Sequence, residues 1–169
     1  MSAAQNQGVV DRIVVRSTEE LFAAYEVEVT KMPDPDQGRV DDVGYVGVIG
    51  FTGKAMRGTL VLAPTRTLLL RAYPGASELR DWAGELANQL IGRIKTQLRR
   101  YGVEVHVTTP VIMRGQCLAF VPRSGPSLHC FAASPGNVSV WFDAELSDGV
   151  DLVLEDTPMG ASEGEALLF

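Results

Sequence analysis

Residues 77–102, SELRDWAGELANQLIGRIKTQLRRYG, contain the most helix-like pattern in the chain. Ser77 is a favourable N-cap residue and Gly102 a favourable residue just beyond a helix C-terminus, so the pattern predicts a helix over about Glu78–Tyr101. Apolar residues recur at helical spacing and predict one buried face, formed by Leu79, Trp82, Ala83, Leu86, Leu90, Ile94 and Leu98. Acidic residues near the start and basic residues near the end suit the helix macrodipole.

Short alternating segments on both sides of this helix predict β-strands. Before it, Val43–Phe51 and Gly58–Ala63 alternate around glycines, with a plausible turn at Gly53-Lys54 between them. After it, the pattern predicts strands over Val103–Thr109, Val111–Arg114, Gln116–Val121, Leu128–Ala133, Val138–Phe142 and Val150–Leu154. Strand–turn–strand runs favour antiparallel pairing. The predicted fold class is an α+β two-layer domain, with an antiparallel (mixed) sheet and the long helices packed on one face.

The first part of the chain gives weaker signals. Residues 1–14 open with small polar residues and are expected to form a flexible N-terminus. Ser17-Thr18-Glu19-Glu20 has the form of a capping box and predicts a short helix through about Tyr25. Met32–Asp42, rich in proline and aspartate, is predicted to be a loop, while Pro64–Ala72 is compatible with either a helix or a buried strand.

Length and composition indicate one folded domain. The chain has 169 residues, of which 46% are hydrophobic, and a formal net charge of −6. The acidic balance argues against a nucleic-acid-binding protein, which needs a concentrated basic face. The apolar stretches are shorter than a membrane-spanning helix, and no basic-then-apolar signal opens the chain, so a cytoplasmic location is expected. The domain is expected to span residues 15–155, followed by an acidic, flexible tail over residues 156–169.

The thiols and imidazoles give no sign of a metal site. Cys117 and Cys130 lie in strand-like segments without a CxxC spacing, and His106 and His129 lie in alternating strand patterns. We therefore expect buried free cysteines, no metal and no disulfide. The sequence also lacks a glycine-rich phosphate loop and a Gly-x-Ser-x-Gly nucleophile motif.

A line of polar residues and glycine follows the side of the long helix opposite its apolar face. Its members recur at alternating steps of four and three residues and are Asp81, Glu85, Asn88, Gly92, Lys95 and Arg99. Such a line is often only solvated surface. Asn88, however, is a mediocre helix former, and the glycines at positions 84 and 92 flank it one turn away on each side. They would let another protein approach the helix backbone, and core crowding is the competing explanation for either glycine.

These residues carry a resemblance to a known family. Asp81-x-x-x-Glu85-x-x-Asn88, followed by Thr-Thr-Pro110, resembles the signature of the CheC/CheX/FliY family of chemotaxis phosphatases. The stretches GELANQLIG (84–92) and VHVTTPVIMRG (105–115) are most similar to the CheX branch. The stretch GYVGVIGFTGKAMRGTLVL, which begins at residue 44, resembles the glycine-spaced hairpin of the same family.

The resemblance implies an enzyme that dephosphorylates the aspartyl phosphate of a CheY-like receiver domain. Asn88 would enter the receiver's site and orient the attacking water, and Glu85 would contact the receiver's lysine. The required Mg²⁺ would belong to the receiver, so this chain is expected to bind no cofactor. Asp81 would be supportive and Pro110 structural. Gly84, Gly92 and Lys95 are assigned to docking, and the CheX branch implies a homodimer, formed through sheet edges.

Two other functions are compatible with the sequence. One is a non-catalytic CheX-like module that binds a receiver or another signalling protein. The other is a small-molecule-binding or structural α+β domain whose polar stripe is only solvated.

The first predicted helix has Glu20 followed three residues later by Ala23, where a second Glu-x-x-Asn site would require asparagine. We therefore expect a single site.

Overall fold

A computed structural model describes residues 2–33, 44–73, 75, 78–115 and 127–154 of the chain. Its helices within these ranges are α1 (Ala3–Ala23), α2 (Arg66–Arg71) and α3 (Leu79–Arg99). Its strands there are β1 (Val29–Lys31), β2 (Val46–Thr52), β3 (Met56–Pro64), β4 (His106–Val107), β5 (Val111–Met113), β6 (Ser127–Ala133) and β7 (Asn137–Leu146). In this described part, no helix combines the length and apolar character needed to cross a bilayer.

The strands form one sheet in which every described pairing is antiparallel. The order is β1-β6-β7-β3-β2-β4, and β5 also pairs with β2. β4 pairs with the end of β2 at Phe51 and Thr52, whereas β5 pairs with its beginning at Val46–Val48. The segment that follows α3 therefore returns along the outer edge of β2, beside the helix.

Helices α1 and α3 pack against each other and against the sheet. Alternate residues of β3 and β7 face them, including Leu60 and Leu62 of β3 and Phe142 of β7. The predicted α+β architecture, with the long helices on one face of the sheet, is confirmed.

The opposite face of the sheet is also apolar at its centre. Val61 and Ala63 alternate with the core residues of β3 and form a second buried cluster with Val46 and Trp141. The run Leu60–Pro64 (LVLAP) is apolar at successive positions, which is typical of a strand that is buried on both faces.

Helix α1 begins much earlier than the sequence predicts. Its N-cap is Ser2, whose hydroxyl accepts the Gln5 backbone N–H at 3.3 Å, while the Gln5 side chain accepts the Ser2 N–H at 2.7 Å. The prediction of a flexible segment over residues 1–14 was wrong, because this part of the helix contributes apolar side chains to the core. They are Val9, Val10, Ile13 and Val14.

The predicted capping box at Ser17-Thr18-Glu19-Glu20 was also wrong. Ser17 and Thr18 are fully buried in the interior of α1 rather than at its start. The Thr18 hydroxyl donates to the Val14 carbonyl at 2.8 Å, which is the bond that a threonine inside a helix can make.

Other local predictions had mixed outcomes. The ambiguous segment Pro64–Ala72 contains helix α2, whose N-cap Thr65 accepts the Leu68 N–H. The turn at 53–54 is confirmed. The expected strand over Val150–Leu154 does not form; Asn6 of α1 instead binds this segment through the Val150 carbonyl and the Leu152 N–H.

Several predictions fall on residues outside the described ranges. They are most of the loop over Met32–Asp42, the strand over Gln116–Val121, Cys117 and the tail over residues 156–169. Ser77 also lies outside, and the N-cap residue of α3 is Glu78, whose side chain makes no capping hydrogen bond.

Candidate functional site

Helix α3 is fixed closely over strand β2 by small residues. A Cβ placed on Gly47 would lie 2.7 Å from the Ala87 Cβ and 3.4 Å from the Ala83 carbonyl oxygen. A glycine on the strand and a small side chain at Ala87 permit this approach. Large apolar side chains bury the same side of α3, namely Trp82, Leu86, Leu90, Ile94 and Leu98. The helix is therefore a rigid support for the residues on its other side.

The predicted polar stripe lies largely at the surface. Asp81, Glu85, Asn88 and Gly92 are exposed, and Lys95 is partly buried. Glu85 and Asn88 are three residues apart and therefore neighbours on the helix surface. Among the described residues, the Asn88 side chain makes no hydrogen bond, so both its carbonyl oxygen and its amide can serve a partner.

Glu85 is linked to helix α1 through two side chains that sequence reasoning missed. The Gln89 amide nitrogen donates to the Glu85 carboxylate at 2.9 Å. The Tyr25 hydroxyl, just beyond the end of α1, donates to the Gln89 carbonyl oxygen at 2.7 Å. The four-residue spacing of Gln89 from Glu85 is a signal in the sequence. The contact of Tyr25 has none, since it joins residues 64 positions apart.

Asp81 is paired within its own helix. Its carboxylate accepts two hydrogen bonds from the Arg80 guanidinium, at 2.9 and 3.0 Å. This hydrogen bonding and the carboxylate charge raise the pKa of Arg80. Both side chains are more than half exposed, so the pair contributes little to stability. Asp81 lies one turn before Glu85 and extends the acidic part of the stripe.

Gly84 of α3 lies against Ile112 and Pro110. Gly84 is buried, and a Cβ on it would lie 3.2 Å from the Ile112 Cδ1 and 3.9 Å from the Pro110 Cγ. The assignment of Gly84 to docking was therefore wrong, since the β5 segment already covers it. Core crowding, the competing explanation, accounts for this glycine. Pro110 precedes β5 and lies beside Gly84 together with Ile112, and its structural role stays a prediction.

Gly92 differs from Gly84 in its surroundings. A Cβ on Gly92 would meet no atom within 4 Å. The residue borders a shallow groove of about 450 Å³ between α1 and α3, lined by Glu20, Gln89, Gly92, Arg93, Thr96 and Gln97. Open space over a helix backbone is what a docking partner would need, and Gly92 lies one turn beyond Asn88.

The described residues contain no group of three or more His, Cys, Asp or Glu side chains placed to hold a metal ion. Cys130 is a buried free thiol, 3.3 Å from the Ser139 hydroxyl. His106 is exposed, whereas His129 is buried with its Nε2 3.5 Å from an oxygen of Asp11. Burial lowers the pKa of His129 against the opposing charge of Asp11.

Helix α1 shows no second copy of the stripe. Glu20, at the position of the glutamate in a second Glu-x-x-Asn site, forms an ion pair with Arg16 at 2.7 Å. Ala23, at the position where asparagine would be needed, is the last residue of the helix. The described surface thus presents the Glu-x-x-Asn pair on α3.

The fold is that of CheX and CheC-like proteins of known structure. CheX from Vibrio vulnificus is 19% identical with a TM-score of 0.67, and the match covers 79% of this chain and 95% of that one. A CheC-like superfamily protein from Shewanella sp. PV-4 is 19% identical with a TM-score of 0.69, and the match covers 86% of this chain and 99% of that one. A chain of the CheX–CheY–BeF₃–Mg²⁺ complex from Borrelia burgdorferi is 12% identical with a TM-score of 0.56, and the match covers 83% of this chain and 97% of that one.

The family follows from the sequence match. Residues 45–132, more than half of the 169-residue chain, match the family model described as chemotaxis phosphatase CheX. This region contains the β2–β3 hairpin, α3 and both Glu85 and Asn88. No curated protein sequence is significantly similar to the chain. The chain belongs to the chemotaxis phosphatase CheX family.

Proposed function

We propose that this protein hydrolyses the aspartyl phosphate of a CheY-like response regulator. Asn88 enters the receiver's site and orients the attacking water, and Glu85 contacts the receiver's lysine. The Mg²⁺ that neutralises the phosphoryl group is held by the receiver. The CheX–CheY–BeF₃–Mg²⁺ complex of a relative from Borrelia burgdorferi supports this kind of partner.

One observation carries the proposal: Glu85 and Asn88 are exposed side by side on a helix whose opposite side is buried. A carboxylate and a carboxamide one turn apart can enter the same small pocket of a partner. The buried side of α3 keeps the backbone fixed, so docking does not require the helix to reorganise.

The chemistry suits these two groups. Phosphoryl transfer depends mainly on positioning and on neutralising charge, and it needs little from a strong base. An asparagine carboxamide cannot remove a proton, but its carbonyl oxygen can accept a hydrogen bond from water and hold it in line with the phosphorus. A glutamate can form an ion pair with a lysine and thereby fix the position of the whole helix.

The proposal includes the homodimer and the cytoplasmic location expected from the sequence. A dimer could form at either edge of the sheet, since β1 on one side and β4 and β5 on the other pair with only one described neighbour. Val107 and Val111 on the latter edge are 41% and 60% exposed. They offer apolar contact beside free backbone groups.

The second candidate is a binding module without catalytic activity. The same helix face would then dock on a receiver without hydrolysing its phosphate. The two functions differ in the activity of the parent chain, because only the phosphatase accelerates phosphate loss from the receiver that it binds. Asn88→Ala then separates catalysis from docking, since it removes the residue assigned to water and leaves the assigned docking group Glu85 in place.

The test measures phosphate loss from receiver domains of the same genome, phosphorylated with acetyl phosphate in Mg²⁺. The parent chain should accelerate the loss, and Asn88→Ala should reduce the maximal acceleration by about 100-fold, the usual effect of losing one essential polar contact at a reacting centre. Glu85→Ala should mainly raise the receiver concentration needed for half-maximal rate. Asn137→Ala is the matched control, since this exposed asparagine lies at the start of β7, distant from α3 along the chain.

Binding of a receiver without acceleration by the parent chain would support the binding module instead. An Asn88→Ala variant with parental activity would contradict the site assignment.

A further inference from the structure

We propose that Gln89 and Tyr25 are positioning residues, which hold the Glu85 carboxylate in the orientation that meets the receiver's lysine. This inference rests on the proposed function. It assigns a role to helix α1, which lies outside the stretch of sequence that matches the family model. The two hydrogen bonds that carry it run from Tyr25 to Gln89 and from Gln89 to Glu85.

The phenol of Tyr25 is held in place by its ring. Tyr25 follows the C-terminus of α1, and its backbone N–H donates to the Phe22 carbonyl at 2.9 Å. Its ring packs edge-on against Trp82 of α3, with ring centroids 4.9 Å apart and an interplanar angle of 85°. Trp82 is only 4% exposed. The hydroxyl therefore projects from a buried aromatic contact and is a fixed donor rather than a mobile one.

The two neighbours determine which way the Gln89 amide faces. A carboxylate can only accept hydrogen bonds, so the amide nitrogen of Gln89 must face Glu85. Its carbonyl oxygen then faces Tyr25, whose hydroxyl can donate. Both ends of this half-buried side chain are used, which leaves it one orientation.

The hydrogen bond between Gln89 and Glu85 leaves the side of the helix that carries Asn88 uncovered. Successive residues of an α-helix are about 100° apart around the axis, so Gln89 and Asn88 lie on opposite sides of Glu85. Gln89 therefore holds the carboxylate from the α1 side and does not cover Asn88. Only one Glu85 oxygen accepts the Gln89 donor, and the other stays available to a lysine.

An exposed glutamate has several rotamers, and docking must select one of them at an entropic cost. Because Gln89 already restricts the Glu85 side chain in the free protein, less of that cost remains when the receiver binds. The expected consequence is tighter docking without a change in the chemical step.

The experiment measures the dissociation constant for beryllofluoride- and Mg²⁺-loaded receiver, using the receiver of the same genome that the parent chain dephosphorylates fastest. Gln89→Leu should raise this constant about fivefold, the effect of losing one solvent-accessible hydrogen bond to a charged group. Tyr25→Phe keeps the ring on Trp82 and should raise it by a smaller factor. The maximal rate of phosphate loss at saturating receiver should not change in either variant.

Two further variants separate positioning from other roles. In a Glu85→Ala background, Gln89→Leu should have no additional effect, because the group that it positions is gone. Gln7→Leu on α1 is the matched control, because Gln7 likewise donates to a carboxylate four residues away (Asp11, 3.0 Å), and it should leave the dissociation constant unchanged. Urea unfolding of each variant verifies that the fold is intact.

The possible failures are distinguishable. If Glu85→Ala weakens docking but Gln89→Leu does not, the positioning role is wrong and the proposed function stands. If Gln89→Leu weakens docking equally in the Glu85→Ala background, Gln89 contacts the receiver itself and the inference is overturned. If the parent chain accelerates phosphate loss from no receiver, the proposed function fails and this inference fails with it.

Discussion

Gly47 of β2 and Ala87 of α3 are in such close contact that a Cβ on the glycine would lie 2.7 Å from the alanine Cβ. Ala87 directly precedes Asn88, so this contact sets how deeply helix α3 sits on the sheet. The depth matters because α3 carries buried and exposed residues in adjacent positions. The packing of β2 thus determines the position of the proposed catalytic side chain.

Gly47→Ala should destabilise the protein. The added methyl group would meet the Ala87 side chain and lie 3.4 Å from the Ala83 carbonyl, and neither is a flexible chain end that can move aside. The expected loss in free energy of unfolding is about 1–3 kcal/mol, the usual cost of overpacking a core. Urea denaturation measures it. A variant as stable as the parent would mean that α3 shifts away from β2 without cost.

Gly92→Ala should have the opposite effect on stability. A Cβ at this position meets no atom within 4 Å, and alanine is the better helix former. The free energy of unfolding should rise by about 0.5–1 kcal/mol. If Gly92 gives a receiver access to the backbone, the same variant should bind beryllofluoride-loaded receiver more weakly. A stabilised variant with unchanged binding would remove Gly92 from the docking surface.

Helix α3 could be predicted from sequence because its signals are local. The spacing of its apolar residues, the charges at its ends and the exposed Glu85 and Asn88 all depend on residues within a few turns of one another. The first part of α1 was missed because Ser17 and Thr18 interrupt its apolar face, and their combination with Glu20 imitates a capping box. Both hydroxyls are buried in the folded protein, and this tertiary packing outweighed the local preference of the sequence for a helix start at Ser17.

The errors within the site have a different origin. Gly84 and Gly92 are equivalent in the sequence, each one turn from Asn88, yet Ile112 covers the first and nothing covers the second. The difference arises from the return of β5 along β2, a pairing between distant segments. The hydrogen bond of Tyr25 is likewise visible only in three dimensions. Local patterns therefore pointed to the candidate site, but could not show what supports it.

Asn6→Ala should destabilise the protein. Asn6 is 5% exposed, donates to the Val150 carbonyl at 2.8 Å and accepts the Leu152 N–H at 3.0 Å. The variant loses both hydrogen bonds and leaves backbone groups without their partner, at an expected cost of about 1–3 kcal/mol in urea unfolding. Asn88→Ala is the matched control, because this exposed asparagine also lies in a helix but should not lower stability. Equal stability of the two variants would contradict a stabilising role of the two Asn6 hydrogen bonds.

His129 should make the fold sensitive to mild acid. Burial lowers its pKa from the ordinary 6.5, with Asp11 opposing this shift and Lys31 reinforcing it. Because the unfolded chain then binds a proton more readily than the folded one, stability is retained above pH 6.5 and falls as the pH drops from there toward the folded pKa. Urea unfolding at pH 7.5 and 5.5 measures the fall. His129→Leu should reduce it, since the titrating group is absent, whereas His106→Leu at an exposed position should not. An identical fall in the parent and His129→Leu proteins would assign the acid sensitivity to other groups.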